Sequence, residues 1–309
     1  MKHILLTMSA LIALGACATT GQTGGGQAAA ASKAGASAAA EGKVVRINQD
    51  PFPSTYKPYP SVTTLIRGAT ILDGKGGQIE NGEILMQGGK IVAVGQTVDA
   101  PADALVIDGR GKWVTPGVID AHSHMGDYPA PEVQAHADGN EITGPVTSEV
   151  WAEHGVWPQD PQFTRALAAG VTTVQILPGS ANLFGGRSVT LKLVPARTMQ
   201  GMKFPGAPYG LKMACGENPK RVYGGKGRMP GSRMGNIALD RQTWAKAQEY
   251  KRKWDAYYEK VEKGEKADAP SRDLQLETLA GVLSGDILVH NHCYRADEMA
   301  NVIDMSKEF

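Results

Sequence analysis

The sequence predicts an α/β chain, a small β-sandwich followed by parallel βα units of the barrel type, and three observations predict it. Short β-like runs separated by glycine turns fill the stretch from Thr64 to Ile107. From Pro116 onward, strand-like runs alternate with helical stretches, the pattern of parallel βα units. Where the two regimes meet, Val118-Ile119-Asp120-Ala121-His122-Ser123-His124 reads as a buried strand whose carboxyl end carries two histidines. That end is where a parallel barrel builds its site.

Composition narrows the partners. At 309 residues, with 42% hydrophobic and 20% charged residues, the chain is long enough to bury a core. A formal net charge of +1 gives no reason to expect nucleic acid, so small molecules or short peptides are the expected ligands, with a homo-oligomer left open. Met1-Lys2-His3 and the apolar run Ile4 to Leu14 have the charged start and short hydrophobic centre of a secretory signal. Leu14-Gly15-Ala16-Cys17 resembles a bacterial lipobox, so residues 1–17 are expected to direct export and Cys17 to carry a lipid anchor in the periplasm or cell envelope. An ordinary cleaved signal is the alternative. Residues 18–43, nearly all Ala, Gly, Ser, Thr and Gln, have too little apolar bulk to offset chain entropy and read as a tether.

Residues 44–115 hold the β-like runs 64–67, 70–72, 83–86, 90–94 and 104–107, with turn signals Asp73-Gly74, Asn81-Gly82 and Gly88-Gly89 between them. In residues 116–309 the opening strand is followed by a helix Phe163 to Ala169 stopped by Gly170, then strands 171–177, 189–193, 210–216 and 287–292. A helix from about Asp240 to Lys263 carries Trp244, Ala247, Tyr250, Trp254 and Tyr257 on one face, a core stripe. Gly185-Gly186-Arg187 precedes a strand instead of opening a helix, a poor fit to a phosphate-cradling loop. Cys215 and Cys293 fall near adjacent strand ends. Export permits a disulfide, and two buried thiols are the default expectation.

Strand alternation puts Asp120, His122 and His124 on one face, so two imidazoles converge where a divalent cation is the natural occupant. His290 and His292, again two apart, share a face of the fifth strand. Lys220, Arg221, Lys226, Arg228 and Arg233 cluster in a glycine-rich loop. There Arg221 and Arg228 are candidates to hold a substrate carboxylate, against a merely solvated loop.

Thr115 to His124 closely resembles the first barrel strand of the amidohydrolase superfamily, and Gly170 to Asn182 and Leu211 to Gly224 are similar to its imidazolonepropionase-like branch. The resemblance implies a partial (β/α)8 TIM-like barrel behind the β-sandwich. It also implies a hydrolase of amide, cyclic amide or dipeptide C–N bonds that uses one or two divalent metal ions, zinc foremost. His122 and His124 inherit the role of metal ligands, with Asp120 in support. Lys212 occupies the place of a carbamylated bridging lysine, Glu217 is the alternative bridge, and one of His290 and His292, His290 preferred, completes the set.

Pro116 to Phe309 is shorter than the ~250 residues of a complete barrel and shows five strands. The sixth-strand histidine and the general-base aspartate of the family pattern are expected beyond Phe309, as for an N-terminal fragment. Two competing readings follow. One is a non-catalytic exported lipoprotein that keeps the incomplete fold for metal or partner binding. The other is a deaminase of cyclic amidines or nucleobases.

Overall fold

The computed structural model describes residues 44–309. The predicted signal, the tether and Cys17 lie outside them. The first strands are β1 (Thr64–Leu72), β2 (Gln78–Gln87), β3 (Lys90–Gly95), β4 (Leu105–Asp108) and β5 (Trp113–Val114). They build one five-stranded sheet in the order β3-β2-β1-β4, with β5 continuing beside β1. The β1–β2–β3 meander is antiparallel, and β4 and β5 run parallel to β1. Leu65, Ala69, Ile71, Ile84 and Leu85 form its buried side. Two of the turn signals read from sequence act as turns, with Gly74 and Gly88 at positive φ, whereas Asn81-Gly82 lies inside β2, where the positive φ of Asn81 accompanies a register shift against β1 instead of ending the strand.

The second sheet holds β6 (Val118–Ser123), β7 (Val171–Ile176), β8 (Phe184–Lys192), β9 (Tyr209–Ala214) and β10 (Ile287–His292) in the order β10-β9-β8-β7-β6. It curls as a half-barrel. Helix α1 (Pro161–Ala168) is opened by Asp160, whose carboxylate accepts from the Gln162 amide, and is closed before Gly170 at φ +93°. Three further helices are α2 (Met199–Met202), α3 (Glu217–Gly224) and α4 (Arg233–Glu262). The last two are α5 (Leu274–Leu283) and α6 (Ala296–Glu308).

The five strands are not all parallel. β6 with β7 and β9 with β10 run parallel, but β8 is antiparallel to both of its neighbours. The expected third strand, 189–193, starts earlier, at Phe184. Only Leu177 to Leu183 then separates β7 from β8, and so short a connection makes a hairpin, whereas a parallel crossover needs a dozen residues or more. β8 also absorbs Gly185-Gly186-Arg187. Gly186 sits at φ +121°, pressed on the Val150 carbonyl where no Cβ fits. Arg187 is buried, donating to Thr278 and to Gln49 and lying 4.1 Å over the Trp151 ring.

β6 is not buried as expected. It is an edge strand, and Val118 and Ile119 are 54% and 70% exposed. The core lies instead under β8 and β9, where Leu183, Phe184, Leu211 and Leu279 are fully covered. Each such side chain contributes roughly 1.5–3 kcal/mol by leaving water. The α4 stripe is buried as its spacing indicates: Trp244 and Ala247 pack there, with Trp244 edge-on to Phe184 at 5.3 Å, and Tyr250, Trp254 and Tyr257 form a second cluster with Ile47 and Ala280. Residues 45–55 lie against this core. Lys203 donates to Asp50 and the Phe52 carbonyl and pairs with Glu153 at 2.9 Å.

Cys215 and Cys293 are joined in a disulfide, in place of the two thiols expected, because the parallel β9–β10 pairing sets their Cα atoms 5.2 Å apart. The bridge spans 78 residues. A loop of that length gives about 4 kcal/mol in the chain-entropy account. The Cys215→Ser, Cys293→Ser double variant is therefore expected to lose stability of that order in urea unfolding. A non-reducing digest that separates the two cysteine peptides would remove the basis of this expectation.

Asp240 on α4 is buried, its Oδ1 has no partner among the described residues, and burial pushes its carboxyl up to about 8. The folded chain keeps this proton up to about pH 8, while the unfolded chain releases it near 3.8. The native state therefore binds more protons in that window, and stability falls as pH rises through it. Urea unfolding of Asp240→Asn should show an advantage over the parent that grows from about pH 4 to about pH 8. A constant difference would rule this out.

Candidate metal centre

The candidate centre lies at the carboxyl ends of β6, β9 and β10. On β6, the Asp120 carboxylate accepts from the His122 amide at 3.1 Å and stiffens the strand end. His122 is exposed, while His124, just past β6, is half-buried. The two rings stand edge to face with centroids 5.2 Å apart.

β9 contributes Lys212, 1% exposed within a strand buried along its whole length. Its Nζ lies 3.1 Å from His122 Nε2. β10 runs parallel with His290 beside Lys212 and His292 beside Ala214, so both histidines share the lysine's face. Close approach is possible because residue 210 has no side chain: a Cβ there would run into the Ser188 hydroxyl and the His290 ring.

Electrostatics follow from this packing. Burial draws the Lys212 ammonium down to about 8. Burial, then repulsion from Lys212 with smaller effects from neighbouring imidazoles, holds His122 and His292 below the usual histidine value. Burial and Lys212 lower His290 also. His124 is lowered by burial, against the opposing bond to the Leu177 carbonyl. All four rings are therefore predominantly neutral near pH 7, the form that donates a lone pair.

The two β10 histidines are not equivalent. His292 Nδ1 is hydrogen-bonded to the Ser180 hydroxyl at 2.6 Å, which leaves Nε2 as its other donor atom. His290 Nε2 is buried without a hydrogen-bond partner, lying where a Cβ on Gly210 would touch it. His124 Nδ1 donates to the Leu177 carbonyl at 2.7 Å. Among the described residues no three His, Cys, Asp or Glu side chains converge as a metal shell. The donor chemistry still suits a divalent cation: neutral imidazoles, two of them with Nδ1 held by a hydrogen bond, and a depressed amine.

No protein-family model matches the chain. An amidohydrolase of Thermotoga maritima MSB8 superposes with a TM-score of 0.72 at 36% identity, covering 79% of this chain and 62% of that one. The amidohydrolase TasK of Hapsidospora irregularis is 32% identical over 243 residues, 74% of this chain and 25% of TasK. An imidazolonepropionase of Colwellia psychrerythraea is 32% identical over 147 residues, 40% of this chain and 35% of that enzyme. The chain belongs to the amidohydrolase superfamily. It spans about a quarter to a third of the curated relatives and under two thirds of the Thermotoga protein.

Within this amidohydrolase the structure gathers His122, His124, Lys212, His290 and His292 at one end of the half-barrel. Glu217 is outside that group. It is exposed on the first turn of α3, with no hydrogen bond or ion pair among the described residues. Arg221 is likewise exposed. Arg228 donates to the Thr143 carbonyl at 2.7 Å and lies over the Tyr223 ring, so α3 and its basic loop pack on the segment that follows β6. Ser180 and the Leu177 carbonyl were missed as site groups. Their only sequence signal was their place just after a strand end, where barrel sites are built.

Replacing Lys212 by Met keeps the volume and removes the charge common to all four histidine environments. NMR titration of the metal-free Lys212→Met protein should find the histidine pKa values higher than in the parent. Values that stay where they were would show that Lys212 does not govern these rings.

Proposed function

We propose that this amidohydrolase is a metal-dependent hydrolase of carbon–nitrogen bonds in small amides, cyclic amides or dipeptides, with His122, His124, Lys212 and His292 holding the metal. The observation that carries the reading is a lysine 1% exposed, 3.1 Å from His122 Nε2, among four neutral imidazoles. An unpaired buried ammonium is costly, and a neutral amine that captures carbon dioxide removes that cost. The amine nitrogen bonds to the carbon and releases its proton, leaving a carboxylate on the lysine as a ligand. Zinc suits this nitrogen-rich set. A divalent cation bound there supplies acidification of water and polarisation of the scissile carbonyl.

The chain's own residues bind and orient. His292 is preferred to His290 as a ligand, because its Nδ1 is anchored to Ser180 while His290 lies packed against β9. Asp120 holds the His122 backbone in place. Arg221 and Arg228, in the basic segment at and after α3, are the groups proposed to meet a substrate carboxylate. Export through the N-terminal segment and lipid attachment at Cys17 are part of the proposal, supported by the sequence of residues 1–17. The competing reading, a non-catalytic exported protein, draws on the lack of three converging His, Cys, Asp or Glu side chains among the described residues.

One experiment separates them. The full chain is reconstituted with zinc, analysed for metal, and assayed on N-acyl amino acids, cyclic imides and dipeptides. Bound zinc with hydrolysis supports the enzyme, and bound zinc without turnover the alternative. His292→Ala is expected to lower zinc occupancy more than His290→Ala does. Full occupancy in both variants and in Lys212→Met would overturn the assigned ligands.

A further inference from the structure

We infer that the turn from Leu177 to Ser180, which leaves β7, is a positioning device that sets the ring nitrogen presented by histidines on both edges of the half-barrel, with Ser180 acting on His292. The inference rests on the metal-hydrolase reading for its purpose and on hydrogen-bond geometry for its content.

The turn reaches both edges. Leu177 is bonded to β6 at two points: its amide donates to the Ser123 carbonyl at 2.9 Å, and its carbonyl accepts from His124 Nδ1 at 2.7 Å. A carbonyl has no proton to give, so Nδ1 carries the hydrogen and Nε2 keeps its lone pair. Three residues on, the Ser180 hydroxyl meets His292 Nδ1 at 2.6 Å, across 112 residues of sequence. A hydroxyl can either accept from Nδ1–H or donate to Nδ1, and Ser180 is assigned the accepting sense, which selects the tautomer that frees Nε2. Two histidines from opposite sheet edges are thus held in the same sense by one turn.

The turn is itself held. The Gly179 amide donates to the Gly139 carbonyl at 2.6 Å, and the Ala181 amide to Asn140 Oδ1 at 3.1 Å. Asn140 also donates to the Tyr128 hydroxyl, and the Tyr128 ring stands edge-on to His124 at 6.0 Å. A Cβ at Gly179 would run into the Asn140 amide, so residue 179 must be small for the turn to seat. Asn182 is buried and donates to the Glu141 carbonyl at 2.6 Å and to Thr147 at 2.7 Å. Leu177 and Leu183, at either end, are fully covered. Such anchoring lets a single hydroxyl dictate a ring's orientation without being bound in turn.

The test uses the metal-free 309-residue chain with Ser180→Ala and Ser180→Thr. Imidazole nitrogen NMR should find His124 and His292 of the parent both protonated on Nδ1. In Ser180→Ala, His292 should shift to a mixture of tautomers while His124 stays unchanged, which also reports that the fold is intact. The hydroxyl of Ser180→Thr should restore the parent pattern. An unchanged His292 in Ser180→Ala overturns the inference whether or not any metal binds. In a second arm, zinc affinity is measured by competition with a chromophoric chelator. Ser180→Ala is expected to bind about tenfold to a hundredfold more weakly, and Ser180→Thr near the parent level. Equal affinity in the parent and Ser180→Ala overturns the link between the turn and the metal. A parent that binds no zinc defeats the functional reading, and the tautomer result still decides the role of the turn.

Discussion

The burial of one amine organises this end of the molecule. Lys212 sits on a strand with no exposed residue, and a charged group there is strongly disfavoured unless it is neutralised or paired. No carboxylate pairs with it among the described residues, so the nearest polar groups are imidazoles. Each imidazole that faces the lysine is pushed toward its neutral form, and the lysine is itself drawn toward neutrality. The site is thereby a collection of neutral nitrogen lone pairs. That condition comes from burial more than from the identity of any one ligand.

The remaining architecture provides for that burial. Glycine at 210 lets the His290 ring lie against β9, and the Gln175 amide and the Gly210 N–H both donate to the Ser188 hydroxyl, which keeps the inner face polar yet satisfied. The β7–β8 hairpin places an antiparallel strand between the histidines of β6 and the lysine of β9. It also throws the Leu177–Leu183 turn over the sheet end, where the turn meets rings from both edges. The Tyr223 hydroxyl on α3 lies within hydrogen-bond reach of the Gly144 carbonyl and of Asn182 Oδ1 and donates its one proton to either, so α3 is fastened to the same roof. The basic loop is held against the segment after β6 through contacts of this kind, which do not consume the cationic groups of Lys220, Arg221 and Lys226.

Sequence patterns that depend on near neighbours were legible. His290 and His292, two positions apart on one strand, must share a face, and Trp244, Ala247, Tyr250, Trp254 and Tyr257 at helical spacing must form a stripe; both are present. Gly170 as a helix stop and Gly88-Gly89 at a turn follow from backbone sterics alone, while Asn81-Gly82, read as a turn, is an irregularity within β2. The motif set around His122, Asn182 and Lys212 carried the family. The direction of β8, the exposure of β6 and the Cys215–Cys293 bridge did not follow, because each depends on which strand lies alongside, a property of pairs far apart in the chain.

The sequence by itself determined the α/β class, the five strand segments and the residues able to ligate a cation, since residue chemistry and local periodicity are sufficient for these. Only the tertiary structure decided which of them meet and in what state. Lys212 reaches His122 across 90 residues and Ser180 reaches His292 across 112, and no local spacing encodes either contact. The depressed lysine, the neutral rings and the Ser180 hydrogen bond that distinguishes His292 from His290 all arise from desolvation and contacts that exist only once β6, β9, β10 and the turn after β7 are packed together.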